Sequence, residues 1–175
     1  MDNKPADSNE VIIKSEWKKK IIALVVVLLA VSVSTRYYSV HLSAKSVIPH
    51  STQIERIYFS YLDGGETNFY LIEFNDKNTE LHQMMSIFES VSYTRSFGSR
   101  NIRNDGKAFM MMIFYRDRDG ELHDYDLDIN EKSFIVSDKK KYKMVDGEKE
   151  AFERLSTWLL EKGIKQPIGT VNNDN

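Results

Sequence analysis

The sequence predicts an α+β domain behind a single transmembrane helix. Three observations carry that prediction. Ile21 to Val33 (IIALVVVLLAVSV) is almost wholly apolar, and no charge falls between Lys20 and Arg36. Between residues 54 and 145, short aromatic and β-branched runs alternate with turn residues. Two stretches, around 79–90 and after Asp146, switch to a helical period. Strands joined by short hairpins give an antiparallel sheet, here of about five to seven strands. Two amphipathic helices then bury their stripes against one face of it.

The 175 residues favour one domain with appendages. The expected division is a cytoplasmic tail (1–17), a transmembrane helix (18–38) and a linker (39–52). An extracytoplasmic α+β domain (53–163) and a flexible C-terminal tail (164–175) follow. A formal net charge of −2 leaves no basic footprint, so no nucleic-acid partner is expected. The chain has no cysteine, which excludes disulfides, thiol nucleophiles and thiolate metal sites.

The uncharged window is 15 residues long, from Ile21 to Thr35. A spanning helix usually takes about 20. Lys20 and Arg36 extend it by snorkelling, and Trp17, Tyr37 and Tyr38 suit the two interfaces. Lys14, Lys18, Lys19 and Lys20 precede the run, against Arg36 and Lys45 after it, which places the N-terminus inside. A cleaved signal peptide is the rival reading, with Ser32-Val33-Ser34 as its cleavage site. The stretch ahead of the run is long for such a peptide and carries four acids. Residues 1–16 are expected to be mostly disordered. Residues 39–52 are small, polar and weakly patterned, and read as a stalk.

Within the domain, Ile54–Leu62 and Thr67–Phe74 are strands about the turn Asp63-Gly64-Gly65-Glu66. Leu81, Met84, Met85, Phe88 and Val91 mark one face of a helix over 79–90, with Asp76 or Asn78 as its cap. Tyr93–Phe97 is a short strand, and Gly98–Gly106 a polar loop. Lys107–Tyr115 (KAFMMMIFY) is apolar on both alternating faces, which predicts a central strand covered on each side. Asp117–Gly120 turns the chain into Glu121–Ile129, where Tyr125, Leu127 and Ile129 oppose Asp124, Asp126 and Asp128. Ser133–Ser137 and Tyr142–Val145 are further strands about a lysine turn. Asp146 is expected to cap a last helix, with Ala151, Phe152, Leu155, Trp158 and Leu159 as its stripe and Gly163 at its end.

Few residues suggest chemistry. His41, His50, His82 and His123 show no metal-binding spacing and read as surface histidines. No nucleophile elbow, Walker loop or GxGxxG is present. Asp117-x-Asp119-Gly120 resembles part of a calcium loop, but Tyr115 offers no carboxylate at its start. Asp126 stands where the longer glutamate should close it. Asp124, Asp126 and Asp128 form an acidic ridge at about 7 Å spacing; the plainer reading is a solvated strand face. Arg95, Arg100, Arg103 and Lys107 crowd one loop and Lys139, Lys140, Lys141 and Lys143 another. Both suit lipid head groups or an anionic wall polymer, or simply water. Met110, Met111 and Met112 read as strand core rather than as a plastic binding face. No catalytic, cofactor-binding or metal residue is assigned, and no cofactor.

The layout resembles small single-pass exported proteins of Gram-positive bacteria. The segment Ser133–Val145, a strand, a lysine turn and a tyrosine strand leading into a last helix, is similar to a domain of unknown function found there. The likeness covers residues 54–163 and implies a bacterial, membrane-anchored location. It carries over no functional residue. The expected function is a membrane-anchored extracytoplasmic binding or accessory module. Its partners would be the lipid bilayer, through the helix, and an envelope protein or cell-wall polymer. The alternative is an exported hydrolase using the carboxylates of Asp124–Asp128.

Overall fold

The computed structural model describes residues 8–74, 77–104 and 106–167. The chain divides into two compact units, one ending at Ser39 and one beginning at Val40.

The first unit is a single helix, α1 (Ser8–Ser39). Its stretch Trp17–Ser39, 23 residues, is long and apolar enough to cross a membrane. At 1.5 Å per residue that is about 34 Å, slightly more than a hydrocarbon core of about 30 Å. The polar residues at its far end are satisfied within the helix. The Thr35 hydroxyl donates to the Val31 carbonyl and the Ser39 hydroxyl to that of Thr35, both at 2.8 Å. The helix begins at Ser8, inside the stretch expected to be disordered. A strong helix, once nucleated, extends at little cost into a neighbouring polar run.

The second unit is one antiparallel sheet with helices on one face. Its strands are β1 (Ile54–Asp63), β2 (Glu66–Glu73), β3 (Ser92–Arg95), β4 (Ala108–Arg116), β5 (Leu122–Asn130), β6 (Phe134–Ser137), β7 (Lys140–Val145) and β8 (Ile164–Gln166). They lie in the order β3-β7-β6-β5-β4-β1-β2-β8. Eight strands exceed the expected five to seven. The extra one, β8, occupies the start of the expected flexible tail and pairs with Phe69–Leu71. A single two-residue turn sets the β1–β2 register, with Gly64 and Gly65 both at positive φ (59° and 94°).

Helices α3 (Lys77–Glu89) and α4 (Glu148–Lys162) pack on the inner face, where their stripes meet Ile57, Phe59, Met111, Leu127 and Ile129 in one core. Phe109 lies at its centre, 6.0 Å from the Phe152 ring and 4.7 Å from that of Tyr61. The start of α4 differs from expectation. Its N-cap is Gly147 at φ 102°, with no side-chain cap, and Asp146 bends away at φ 63°. Glu148 and Glu150 in the first turn complement the helix dipole instead. Gly163 ends the helix as expected, but with extended backbone. A Cβ there would lie 2.7 Å from the Phe59 ring, so glycine lets the chain cross that ring into β8.

The stalk expected over 39–52 is folded. A one-turn helix, α2 (Ala44–Val47), carries Ala44, Val47 and Ile48 into the core, the last two fully buried. Leu42 and Tyr93 exchange backbone hydrogen bonds of 2.7 and 3.1 Å. The Tyr125 and Tyr142 hydroxyls donate to the carbonyls of Pro49 (3.0 Å) and Ser46 (3.3 Å). One turn is too short to show a period against a small, polar background, so its apolar positions i, i+3 and i+4 passed as scatter.

Candidate functional site

Strand β4 is central, between β1 and β5, but it is not covered on both sides. Phe109, Met111 and Ile113 point into the core. Met110, Met112 and Phe114 point the other way, and among the described residues of this second unit no helix lies over them. Met112 is 43% exposed, and so to a similar degree are Tyr58 (40%) and Phe69 (46%).

The ladder register turns this face into rows. Leu71, Tyr58, Met112 and Asp126 lie opposite one another across β2, β1, β4 and β5. The next row is Phe69, Ser60, Met110 and Asp128. Between them lies a groove of about 450 Å³, lined among others by Tyr58, Phe69, Met110, Met112, Asp126 and Asp128. On the far side of Tyr58, the Arg56 guanidinium lies 4.9 Å over the Phe114 ring. Tyr58 and Phe114 meet edge to face at 5.6 Å. The apolar side chains are exposed, yet the rings hold one another in place.

One end of the groove is closed by an ion pair. Arg103 Nε donates to Asp128 Oδ2 at 3.1 Å, and Asp128 is only 7% exposed. The loop is pinned for this contact. Ile102 is fully buried, and the buried Asn130 amide donates to its carbonyl at 3.1 Å. The Arg103 amide in turn donates to the Asn101 side chain at 3.2 Å. Burial pushes the Asp128 carboxyl above the usual carboxylate range, Arg103 draws it back, and the neighbouring Asp126 charge pushes it up again. Two of the three ridge carboxylates thus share a groove. Asp124 lies one row beyond, opposite Phe114.

A second cluster sits at the β4–β5 turn. Asp117, Glu121 and His123 bring ligand atoms within 4.8 Å of one another. The Asp117 carboxylate is already engaged: one oxygen accepts the amides of Asp119 (3.0 Å) and Glu121 (2.9 Å). The other lies 2.9 Å from His123 Nε2. The His123 contact, first, and the Glu121 amide hold its carboxyl below the usual range. This is a hairpin fastener. Asp126, where a calcium loop would close, faces the groove instead.

The remaining candidates scatter. His41 and His82 are exposed, and His50 stacks on Tyr115 at 4.1 Å between ring centres. Lys107 pairs with Asp63 at 3.2 Å, and Lys141 lies 4.3 Å over the Phe134 ring. Sequence reasoning found the ridge and the methionines separately. It missed Arg103 as the partner of Asp128, because the two lie 25 residues apart and no local pattern joins them.

No protein-family model, no curated protein and no solved structure matches this chain.

Proposed function

We propose that this protein is a membrane-anchored binding module without catalytic activity, working outside the cytoplasm. The observation that carries this reading is the uncovered sheet face. Tyr58, Phe69 and Met112 expose large apolar surface in one groove on a rigid central sheet. Contiguous apolar surface of this kind marks a place where something binds. Methionine suits such a face, because its unbranched, polarisable side chain adapts to its partner. In this account α1 fixes the chain in the bilayer, uncleaved. The lysine excess before it keeps the N-terminus inside and the domain outside. The bacterial setting rests on the likeness of layout alone.

The test is co-purification from native membranes. Full-length protein should recover a defined partner that a Tyr58→Glu, Met112→Glu variant, still folded by circular dichroism, does not. Recovery of the same set by both would remove the face from the function.

One observation favours a second reading, the hydrolase. Asp126 and Asp128 share the groove, and Asp128 titrates above the usual range. A retaining or inverting glycosidase needs such an unequal pair. The Arg103 contact opposes it, since it occupies the carboxyl that would serve as the acid. Turnover of a chromogenic glycoside that Asp126→Asn abolishes would establish the enzyme.

A further inference from the structure

The charges along the groove discriminate between occupants. Strand β5 presents Asp124 and Asp126 at successive outward positions, about 7 Å apart. Alternation along β4 sets Phe114 and Met112 directly beside them. An acidic rail therefore runs along an apolar rail. The third acid, Asp128, is neutralised by Arg103. Among the described residues, the Asp124 and Asp126 carboxylates make no ion pair and no hydrogen bond, and both residues are exposed. Arg103 is paired with Asp128, and Arg56 lies over the Phe114 and Tyr58 rings.

This combination excludes two partners and fits a third. A purely apolar partner would strip water from two unpaired carboxylates and return nothing. A polyanion, whether a phosphodiester polymer or an anionic lipid surface, would meet like charge. A lysine or arginine side chain answers both requirements, with its methylene stem on Met112 and its charged head on a carboxylate. We infer that the groove binds a basic amphipathic segment of another polypeptide. Its cationic heads pair with Asp126 and Asp124, and its apolar side chains lie on Met112, Met110 and Tyr58. An extended strand repeats its same-side residues at about 7 Å, matching the carboxylate spacing. The inference rests on the binding-module reading and adds the chemistry of the partner.

The experiment uses the full chain in zwitterionic micelles with labelled methionine methyl groups. The probes are short peptides of alternating Lys-Leu, Glu-Leu and Lys-Ser. The Lys-Leu peptide should shift the Met110 and Met112 signals and leave Met84 and Met144, which are buried. Asp126→Asn should weaken this binding several-fold and Asp126→Lys by roughly tenfold or more. Unmoved Met111 and Met144 signals report that each variant is folded. Equal binding of the Glu-Leu or the Lys-Ser peptide overturns the inference while the face remains a binding face. So do Met112 shifts that depend only on protein concentration, which would assign the face to a second copy. If no peptide, anionic vesicle or polyphosphate moves Met110 and Met112, the inference and the binding-module reading fall together.

Discussion

The two faces of the sheet are built from the same strands and meet opposite fates. Along Met110–Met111–Met112, the middle residue is buried in the core with α3 and α4, and Met112 is half exposed on the other face. The inner face is sealed by helices, by Phe109 with its ring neighbours and by the folded segment Ala44–Ile48. The outer face has apolar side chains of similar size and, among the described residues of its own unit, nothing over them. Core chemistry on a surface costs stability or solubility unless a partner covers it. The inner face accounts for the fold, and the outer face is where function is to be sought.

That contrast can be broken most forcefully from the inside. Phe109→Ala should cost about 3–5 kcal/mol, by transfer loss and by the cavity left among Phe59, Tyr61 and Phe152. Urea denaturation followed by Trp158 fluorescence, in a Trp17→Phe background, measures it. The other apolar surface of the molecule, α1, is answered by lipid rather than by protein in this account. Val27→Arg should cost roughly 2.5–3.5 kcal/mol of insertion and release the chain from the alkali-resistant membrane fraction. A variant that stays there would undo the anchor. Met112→Ala, by contrast, should cost under about 1 kcal/mol, since its side chain is already half in water. A loss as large as that of Phe109→Ala would mean the outer face is covered by the chain itself.

The smallest effect is a slope. Asp128 titrates above the usual range, so the folded state takes up its proton before the unfolded state does. Its contribution to stability therefore grows as pH falls through its folded value and is lost as pH rises. Relative to Asp128→Asn, the native protein should gain stability as pH falls through the raised folded value of Asp128 toward the ordinary carboxylate value of about 3.9. Asp117 has the opposite sign. Its contribution is present above the ordinary value and is lost as pH falls through its lowered one. Paired melts of Asp117→Asn and Asp128→Asn across that range should diverge, and parallel melts would refute the assignment.

Where a residue's own period or its near neighbours decide structure, the sequence was sufficient. The alternation of Tyr125, Leu127 and Ile129 against the aspartates, and the stripes of α3 and α4, are local and long enough to read. The one-turn helix α2 and the three-residue β8 were too short to carry a period; α2 is revealed by the burial of Ala44 and Val47 in the core, and β8 by its pairing with Phe69–Leu71. The double-faced apolarity of KAFMMMIFY was visible but ambiguous. A strand covered on both faces and a strand awaiting a partner have the same composition. Nothing in the order of residues joins Arg103 to Asp128, because their contact depends on the Ile102 anchor and the buried Asn130.

In the proposed function, a partner covers the outer face in the cell. The Met110–Met112 triplet measures this directly, because alternation supplies its own control. Peroxide oxidation of the full-length protein is followed residue by residue by mass spectrometry, in intact cells and after purification. Met111 should oxidise slowly in both settings. Met112 should oxidise quickly in the purified protein and markedly more slowly in cells. Equal rates for Met112 in both settings would contradict the account.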